Sequence, residues 1–409
     1  MWILILPWSI STWQGSAGGL RLAHWRNFMS NRYSACQLAD IIRAFHTDIP
    51  TIASNTWKAR TLYALMRCRT AEMGGHIDRC DNPDCNKLHI SYNSCRNRHC
   101  PRCQGHLRER WIQDREKDLL NTTYFHVVFT LPDTLNELAL IKPDVLYHLL
   151  FQTAWSVLRD FAANPKLLGA RTGMVSVLHT WGQNLSLHPH LHCIVPAGGL
   201  TPSGKWKASL SKGRFLFPVK KMSTVFRARM VQALREKKLL DPKTAKQLFS
   251  KKWVIYCKKP FFGPKQVIEY LGRYSHKIAI SNQRIKKFQN NKVDFTVKNY
   301  RKQGKKETYT LKADEFLRRF TLHILPKGFT RIRHYGILAS AFKATHKVNI
   351  DCQIGQVIIE VGEKPALLLK KCPYCKNGEL HTVACFDQRG PPPSWFNKIS
   401  KQNNKRQVA

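Results

Sequence analysis

Three short stretches hold the residues most able to do chemistry. The first carries Cys80, Cys85, Cys95, Cys100 and Cys103, with His89 and His99 close by. Zinc takes four nitrogen or sulfur ligands in a tetrahedron, and a Cys-x2-Cys turn offers two sulfurs to one ion. Cys80, Cys85, Cys100 and Cys103 are the expected set; Cys95 and His99 are substitutes, because the Cys80–Cys85 spacing is wider than that turn. Arg96, Arg98 and Arg102 interleave with these ligands, so the pinned loop is expected to present guanidinium forks to phosphate. The pair Cys372 and Cys375 is half of another such site, with Cys352, His381 and Cys385 as candidate partners.

The second stretch, His188-Pro189-His190-Leu191-His192-Cys193-Ile194-Val195, alternates imidazoles with other residues. On a strand, residues two apart share a face and sit about 6.6–6.8 Å apart. Two imidazoles at that spacing converge on one ion through bonds of about 2.1 Å, whereas the outer two of three lie roughly 13 Å apart. His190 and His192 are therefore assigned to a metal, and His188 to an outer or phosphate-contacting position. A neighbouring strand should add the third ligand: Gln183 from an antiparallel partner, or else His126. Two imidazoles and an amide leave coordination positions open, which suits Mg2+ or Mn2+ polarising a phosphate better than a closed zinc site.

The third stretch, Val267 to Lys277, places Tyr270 and Tyr274 at i, i+4 and so on one helical face, with Arg273, His276 and Lys277 around them. A phenol whose ordinary pKa is about 10 needs such cations, or a metal-held phosphate, to react as phenoxide at neutral pH. Alone, the segment reads more readily as two packed tyrosines with solvated basic neighbours. Its company gives it weight.

The elements that must hold these groups follow from periodicity. Residues 34–73 read as helical until Gly74-Gly75 stops the pattern, and 74–106 is too poor in aliphatic residues to fold without a staple. Arg108–Leu120 reads as a charged helix, Tyr124–Leu131 as a buried strand ended by Pro132, and 134–162 as a helix. Met174–Thr180 and His190–Val195 form a hairpin; helices return at 222–240 and 264–275; Lys292–Val297 and Glu307–Leu311 alternate as strands. These divide the chain into an extension (1–28), a helical and zinc-binding DNA-binding domain (29–120), a catalytic domain (121–285), a basic region with the Cys372/Cys375 pair (286–386) and a polar tail (387–409).

Lys and Arg number 67 against 26 Asp and Glu, a formal charge of +41, so the partner must be a polyanion, and nucleic acid is the commonest one. Thirteen cysteines, an odd number and clustered, suit reduced metal-binding thiolates in a cytoplasm better than a disulfide framework. No apolar run reaches the roughly 18 residues of a membrane span.

The motifs Tyr92–Cys103, His126–Pro132, Trp181–Leu185 with His188–Pro196, and Tyr270–Asn282 occur in the order found in the rolling-circle transposases of the insertion-sequence ninety-one family, within the HUH endonuclease superfamily. The chain resembles that family over roughly residues 36–375. The resemblance implies an α+β fold: an HUH core of antiparallel sheet with flanking helices, preceded by a helical and zinc-binding N-terminal domain. It implies His190 and His192 as metal ligands and Tyr274 as the nucleophile, forming a 5′-phosphotyrosine on single-stranded DNA at element ends, with Tyr270 taking a second strand end. Arg273 and Lys277 would then contact phosphate. An HUH replication initiator and a catalytically decayed zinc-finger DNA binder are the alternative readings.

Overall fold

The computed structural model describes residues 36–103, 118–210, 216–261, 267, 278–299, 302–357 and 371–395. The expected extension (1–28), most of the Arg108–Leu120 helix, and the polar tail beyond 395 lie outside the described residues. So does the helix around Tyr270, Arg273, Tyr274 and Lys277. Among the described residues, no helix is long and apolar enough to cross a membrane.

The described strands are β1 (Gly75–Cys80), β2 (Leu88–Tyr92), β3 (Tyr124–Thr130), β4 (Gly173–Trp181), β5 (Leu187–Pro196), β6 (Gly198–Leu200) and β7 (Trp206–Ala208), followed by β8 (Ile255–Phe261), β9 (Ile285–Gln289), β10 (Lys292–Asn299), β11 (Lys305–Lys312), β12 (Ile332–Gly336) and β13 (Leu380–Phe386). The principal helices are α1 (Leu38–Ala44), α2 (Thr56–Arg67), α3 (Asn136–Ile141), α4 (Pro143–Ala163), α5 (Val219–Glu236), α6 (Pro242–Ser250), α7 (Ala313–Leu322) and α8 (Ser340–Ile354). The fold is mixed α+β, with every named sheet antiparallel.

The chain forms two compact units. One takes Arg67–Cys95 and Lys364–Ala409, the other Ala35–Met66 and Arg96–Glu363. The region expected at 286–386 is thus divided: β9 to β12 belong to the larger unit, while Cys372, Cys375 and β13 belong to the smaller. The segment expected at 29–120 is divided as well, between 66 and 67 and again between 95 and 96.

The smaller unit is a three-stranded sheet in the order β13-β1-β2. Its buried apolar cluster is Ile77, Leu88, Ile90 and Phe386, with Tyr92, Ala384 and Trp395 packed against it. Four side chains at about 1.5–3 kcal/mol each do not offset the ordering of so many residues.

The larger unit is built on a five-stranded sheet in the order β12-β4-β5-β3-β8, with β5 at its centre. Strand alternation explains its two faces. Phe125, Val127 and Phe129 of β3 and Leu191, Cys193 and Val195 of β5 point into a core closed by α4 and α5, where the Phe129 and Phe226 rings meet edge to face at 5.0 Å. His126, Val128, His190 and His192 take the intervening positions and so share the opposite face. Part of that face is covered by a second cluster containing Tyr124, Val177, Ile194, Ile337, Leu338 and Ile350. The helix expected over 134–162 is two helices, because Pro143 follows Lys142, which leaves the helical region at φ −132, ψ 60. A second sheet, β11-β10-β9, packs Phe295 on Phe316 of α7.

Candidate metal centres

Of the clusters of metal-ligating side chains among the described residues, two lie each within a single unit and can be built up from the strands that carry them. In the larger unit the hairpin of β4 and β5 sets His179 directly opposite His190. Directly opposite residues in an antiparallel pair share a face, so three imidazoles, His179, His190 and His192, converge there. Their ligand atoms all lie within 4.8 Å of one another.

Backbone and second imidazoles then fix how the rings present themselves. His190 Nδ1 lies 2.7 Å from the carbonyl oxygen of His188, which can only accept, so Nδ1 carries the proton and the Nε2 lone pair points inward. Burial lowers the His190 pKa to about 4, with the His188 carbonyl opposing it, so the ring is neutral near pH 7. His190 Nε2 faces His192 Nε2 at 3.1 Å. Bonds of about 2.1 Å to one cation put neighbouring donors roughly 3.0 Å apart in an octahedron and about 3.4 Å apart in a tetrahedron. The donor set fits a cation.

The third imidazole is the feature that sequence spacing missed. Gln183 was expected opposite the histidine strand, but pairing ends at Trp181 with Leu187, and Gln183 sits in the turn beyond it. Its Oε1 accepts from the Lys298 amide at 3.3 Å. The register shifts by one residue between His179 and Trp181, and on the interior side of that shift it is His179 that stands opposite His190. A third histidine at the far end of the preceding strand was the available signal. His126, the rival third ligand, sits behind the group instead: its Nε2 is 2.8 Å from His192 Nδ1 and its ring stacks on His192 at 5.0 Å. That contact orients the ring and leaves His192 Nε2 as the inward-facing atom. His188 is exposed, its ring 5.1 Å from that of His190.

In the smaller unit the structure corrects the expected zinc set. Cys80 and Cys85 gather with Cys372 and Cys375, all four sulfurs within 4.8 Å of one another, because β13 pairs with β1 and carries the Cys372–Cys375 turn alongside. Cys80 Sγ lies 3.6 Å from Cys375 Sγ and Cys85 Sγ lies 3.8 Å from Cys372 Sγ. Tetrahedral zinc with bonds of about 2.3 Å requires sulfur separations near 3.8 Å, while a disulfide would require about 2.05 Å. Gly378 closes the turn: a Cβ there would stand 2.4 Å from Cys80 Sγ, and its amide donates to Cys375 Sγ at 3.3 Å. That amide lowers the Cys375 thiol to about 6, while burial pushes Cys80 up to about 12. A thiolate at Cys80 therefore needs a cation beside it.

The other thiols expected in that set lie elsewhere. Cys100 and Cys103 belong to the larger unit, their sulfurs within 4.8 Å of each other. Cys95 keeps company with Cys68, whose sulfur accepts from the Cys95 amide at 3.5 Å. The candidate partners Cys385 and Cys352 are exposed, and His381 lies 3.4 Å from Asp81. His99, the other substitute, has both ring nitrogens engaged within the protein. Its Nδ1 donates to Asn97 Oδ1 at 3.0 Å, its Nε2 accepts from the Leu325 amide at 3.2 Å, and burial holds its pKa at about 3. Arg98 and Arg102, expected on phosphate, bond within the protein at 2.5 Å each, to the Phe329 carbonyl and the Gln37 side chain. Arg96 is exposed. Tyr270, Arg273, Tyr274 and Lys277 lie outside the described residues.

An antiparallel α+β core with three converging imidazoles, a four-thiol cluster suited to zinc and a charge of +41 together define a zinc-binding protein built for a polyanion. Residues 173–346 match the family described as "Putative transposase", and residues 41–131 match the "Transposase zinc-binding domain". The chain is 38% identical over 401 residues to "Putative transposase y4qJ" of Sinorhizobium fredii, covering 88% of this chain and 98% of that protein. It is 30% identical over 302 residues to the transposase for insertion sequence element IS801 of Pseudomonas savastanoi pv. phaseolicola, covering 69% and 70%. No solved structure matches. The chain belongs to the insertion-sequence ninety-one family of transposases, and DNA is the polyanion its charge calls for. His179, His190 and His192 all fall in the first matched segment; Cys80 and Cys85 fall in the second, but Cys372 and Cys375 lie outside both.

Proposed function

We propose that this transposase cuts single-stranded DNA at its element's ends by attack of Tyr274 on the scissile phosphate, beside a divalent cation held by His179, His190 and His192. One observation carries the proposal: three imidazoles converge on the face of a central strand that lies opposite the main core, in a chain of this family. The antiparallel sheet around that strand supports assignment to the HUH endonucleases. The phenolic oxygen of Tyr274 gives up its proton and bonds to phosphorus, the bond to the 3′ oxygen breaks, and that oxygen takes up a proton. A 5′-phosphotyrosine and a 3′-hydroxyl result. The ester conserves the energy of the broken bond, so a 3′-hydroxyl of target DNA reverses the step and joins the strands without a nucleotide cofactor. Tyr270 takes the second strand end.

The cation supplies charge neutralisation and polarisation at the phosphate. Its ligands are held by their neighbours, His190 by the His188 carbonyl and His192 by His126. Arg273, Lys277, His188 and the exposed Arg96 add positive charge for phosphate. Three imidazoles favour Mn2+ over Mg2+, which prefers oxygen ligands. The four-thiol cluster is assigned to a structural Zn2+.

Incubation with a labelled single-stranded oligonucleotide of the element's end and Mn2+, read on a denaturing gel, tests the proposal. A covalent protein–DNA adduct is expected, lost in Tyr274→Phe with DNA affinity retained. Full attachment in that variant would move the nucleophile to Tyr270, and no adduct from the native chain would leave only a metal-bearing DNA binder.

A further inference from the structure

The sheet face that carries the imidazoles continues to β8, the edge strand among the described residues, where two side chains stand exposed. On β8, Ile255 and Cys257 pack with the core, so Tyr256 takes the other face. Tyr256 is 53% exposed and its neighbour Val254 60% exposed. Register ties this edge to the metal centre: Tyr256 stands directly opposite Val128, and Val128 directly opposite His192. Two such steps put the Tyr256 backbone about 10 Å from that of His192.

A lone exposed tyrosine needs no explanation. This one lies in the same cross-strand row as a candidate metal ligand, and in sequence Tyr256 is flanked by Lys251-Lys252 before it and Lys258-Lys259 after it. Lysines alone would serve to keep an edge strand from pairing with another chain, but that device gains nothing from an exposed aromatic ring and an exposed valine. An aromatic ring between basic residues is the composition of a groove for unpaired nucleic acid, in which bases stack on rings and cations follow the backbone.

We propose that Tyr256 stacks on one unpaired nucleobase of the strand being processed, with Val254 extending the apolar surface, so that the adjoining phosphate is delivered to the imidazoles. Tyr256 is a positioning residue, and its ligand is a base of single-stranded DNA; paired bases, stacked on one another, cannot use it. This rests on the reading of the imidazole centre as the place of strand cleavage.

The test uses the full chain and a labelled single-stranded oligonucleotide of the element's end, with binding followed by fluorescence anisotropy in EDTA so that no cutting occurs. Tyr256→Ala is expected to weaken binding about five- to a hundredfold, while Tyr256→Phe, which keeps the ring, binds like the native chain. Abasic sites are then introduced one position at a time. One position, next to the scissile phosphate, should erase the difference between native protein and Tyr256→Ala. Unchanged affinity in Tyr256→Ala, a loss in Tyr256→Phe equal to that in Tyr256→Ala, or a deficit insensitive to every abasic position would overturn the proposal. Because the measurement needs no cation, a chain that shows the abasic footprint but never cuts sinks only the cleavage reading. A chain that cuts through its imidazoles without the footprint sinks only this one.

Discussion

His179→Ala is expected to lower Mn2+-dependent cleavage of a single-stranded element end by about a hundredfold or more, with Gln183→Ala changing it little. Loss of an outer partner of a metal ligand already costs about 10–100-fold, and His179 stands among the proposed ligands themselves, with its donor atom within 4.8 Å of those of His190 and His192. Gln183 is instead committed to the Lys298 amide, and its carbonyl accepts from Arg284. Cleavage rates measured across a Mn2+ titration separate the cases. In His179→Ala the concentration needed for half-maximal activity should rise steeply, and DNA binding in EDTA should persist. Equal damage in Gln183→Ala would restore the amide as third ligand. Faster cutting with Mg2+ than with Mn2+ in the native chain would show that the three imidazoles do not set the metal preference.

The second large effect concerns the four-thiol cluster. Cys372→Ser and Cys375→Ser should each remove one equivalent of zinc per chain, measured by elemental analysis, while Cys352→Ser and Cys385→Ser leave the zinc content unchanged. The energetic stake is high because, among the described residues, the buried apolar cluster of the smaller unit's sheet is Ile77, Leu88, Ile90 and Phe386. Zinc binding contributes about 10–16 kcal/mol in finger peptides, against roughly 1.5–3 kcal/mol for each buried apolar side chain. Losing the metal should therefore release β1, β2 and β13 to rapid amide hydrogen exchange, with the central sheet of the larger unit still protected. Retention of all zinc in both cysteine variants would refute the set. Slow exchange in a zinc-free variant would show that the apolar cluster suffices.

A zinc at that position would also join distant parts of the chain. Cys80 and Cys375 meet across a sequence separation of 295, so the C-terminal segment is part of the smaller unit and not an appendage. Truncation before Cys372 is then equivalent to removing half the ligands.

Much of this was legible in the amino acids alone. Strand period places His190 and His192 on one face because the alternation is local: no other part of the chain has to be known to see which side chains coincide. The same holds for Tyr124–Thr130, for the hairpin of β4 and β5, and for the β10–β11 pair. Charge named a polyanion for the same reason, since it is a sum over residues and independent of arrangement. Which side chains complete each centre was not local. A register shift near Trp181 decided that His179 would face His190, and a bulge has no residue signature strong enough to read in advance. The pairing of β13 with β1 decided that Cys80 and Cys85 would meet Cys372 and Cys375 and not Cys100 and Cys103. Spacing arguments favour near neighbours, yet closing a long loop costs little more than closing a short one, so proximity in sequence carries little information about which thiols meet. The residue types dictated the chemistry, and the antiparallel register, which depends on contacts made across the whole chain, chose the partners.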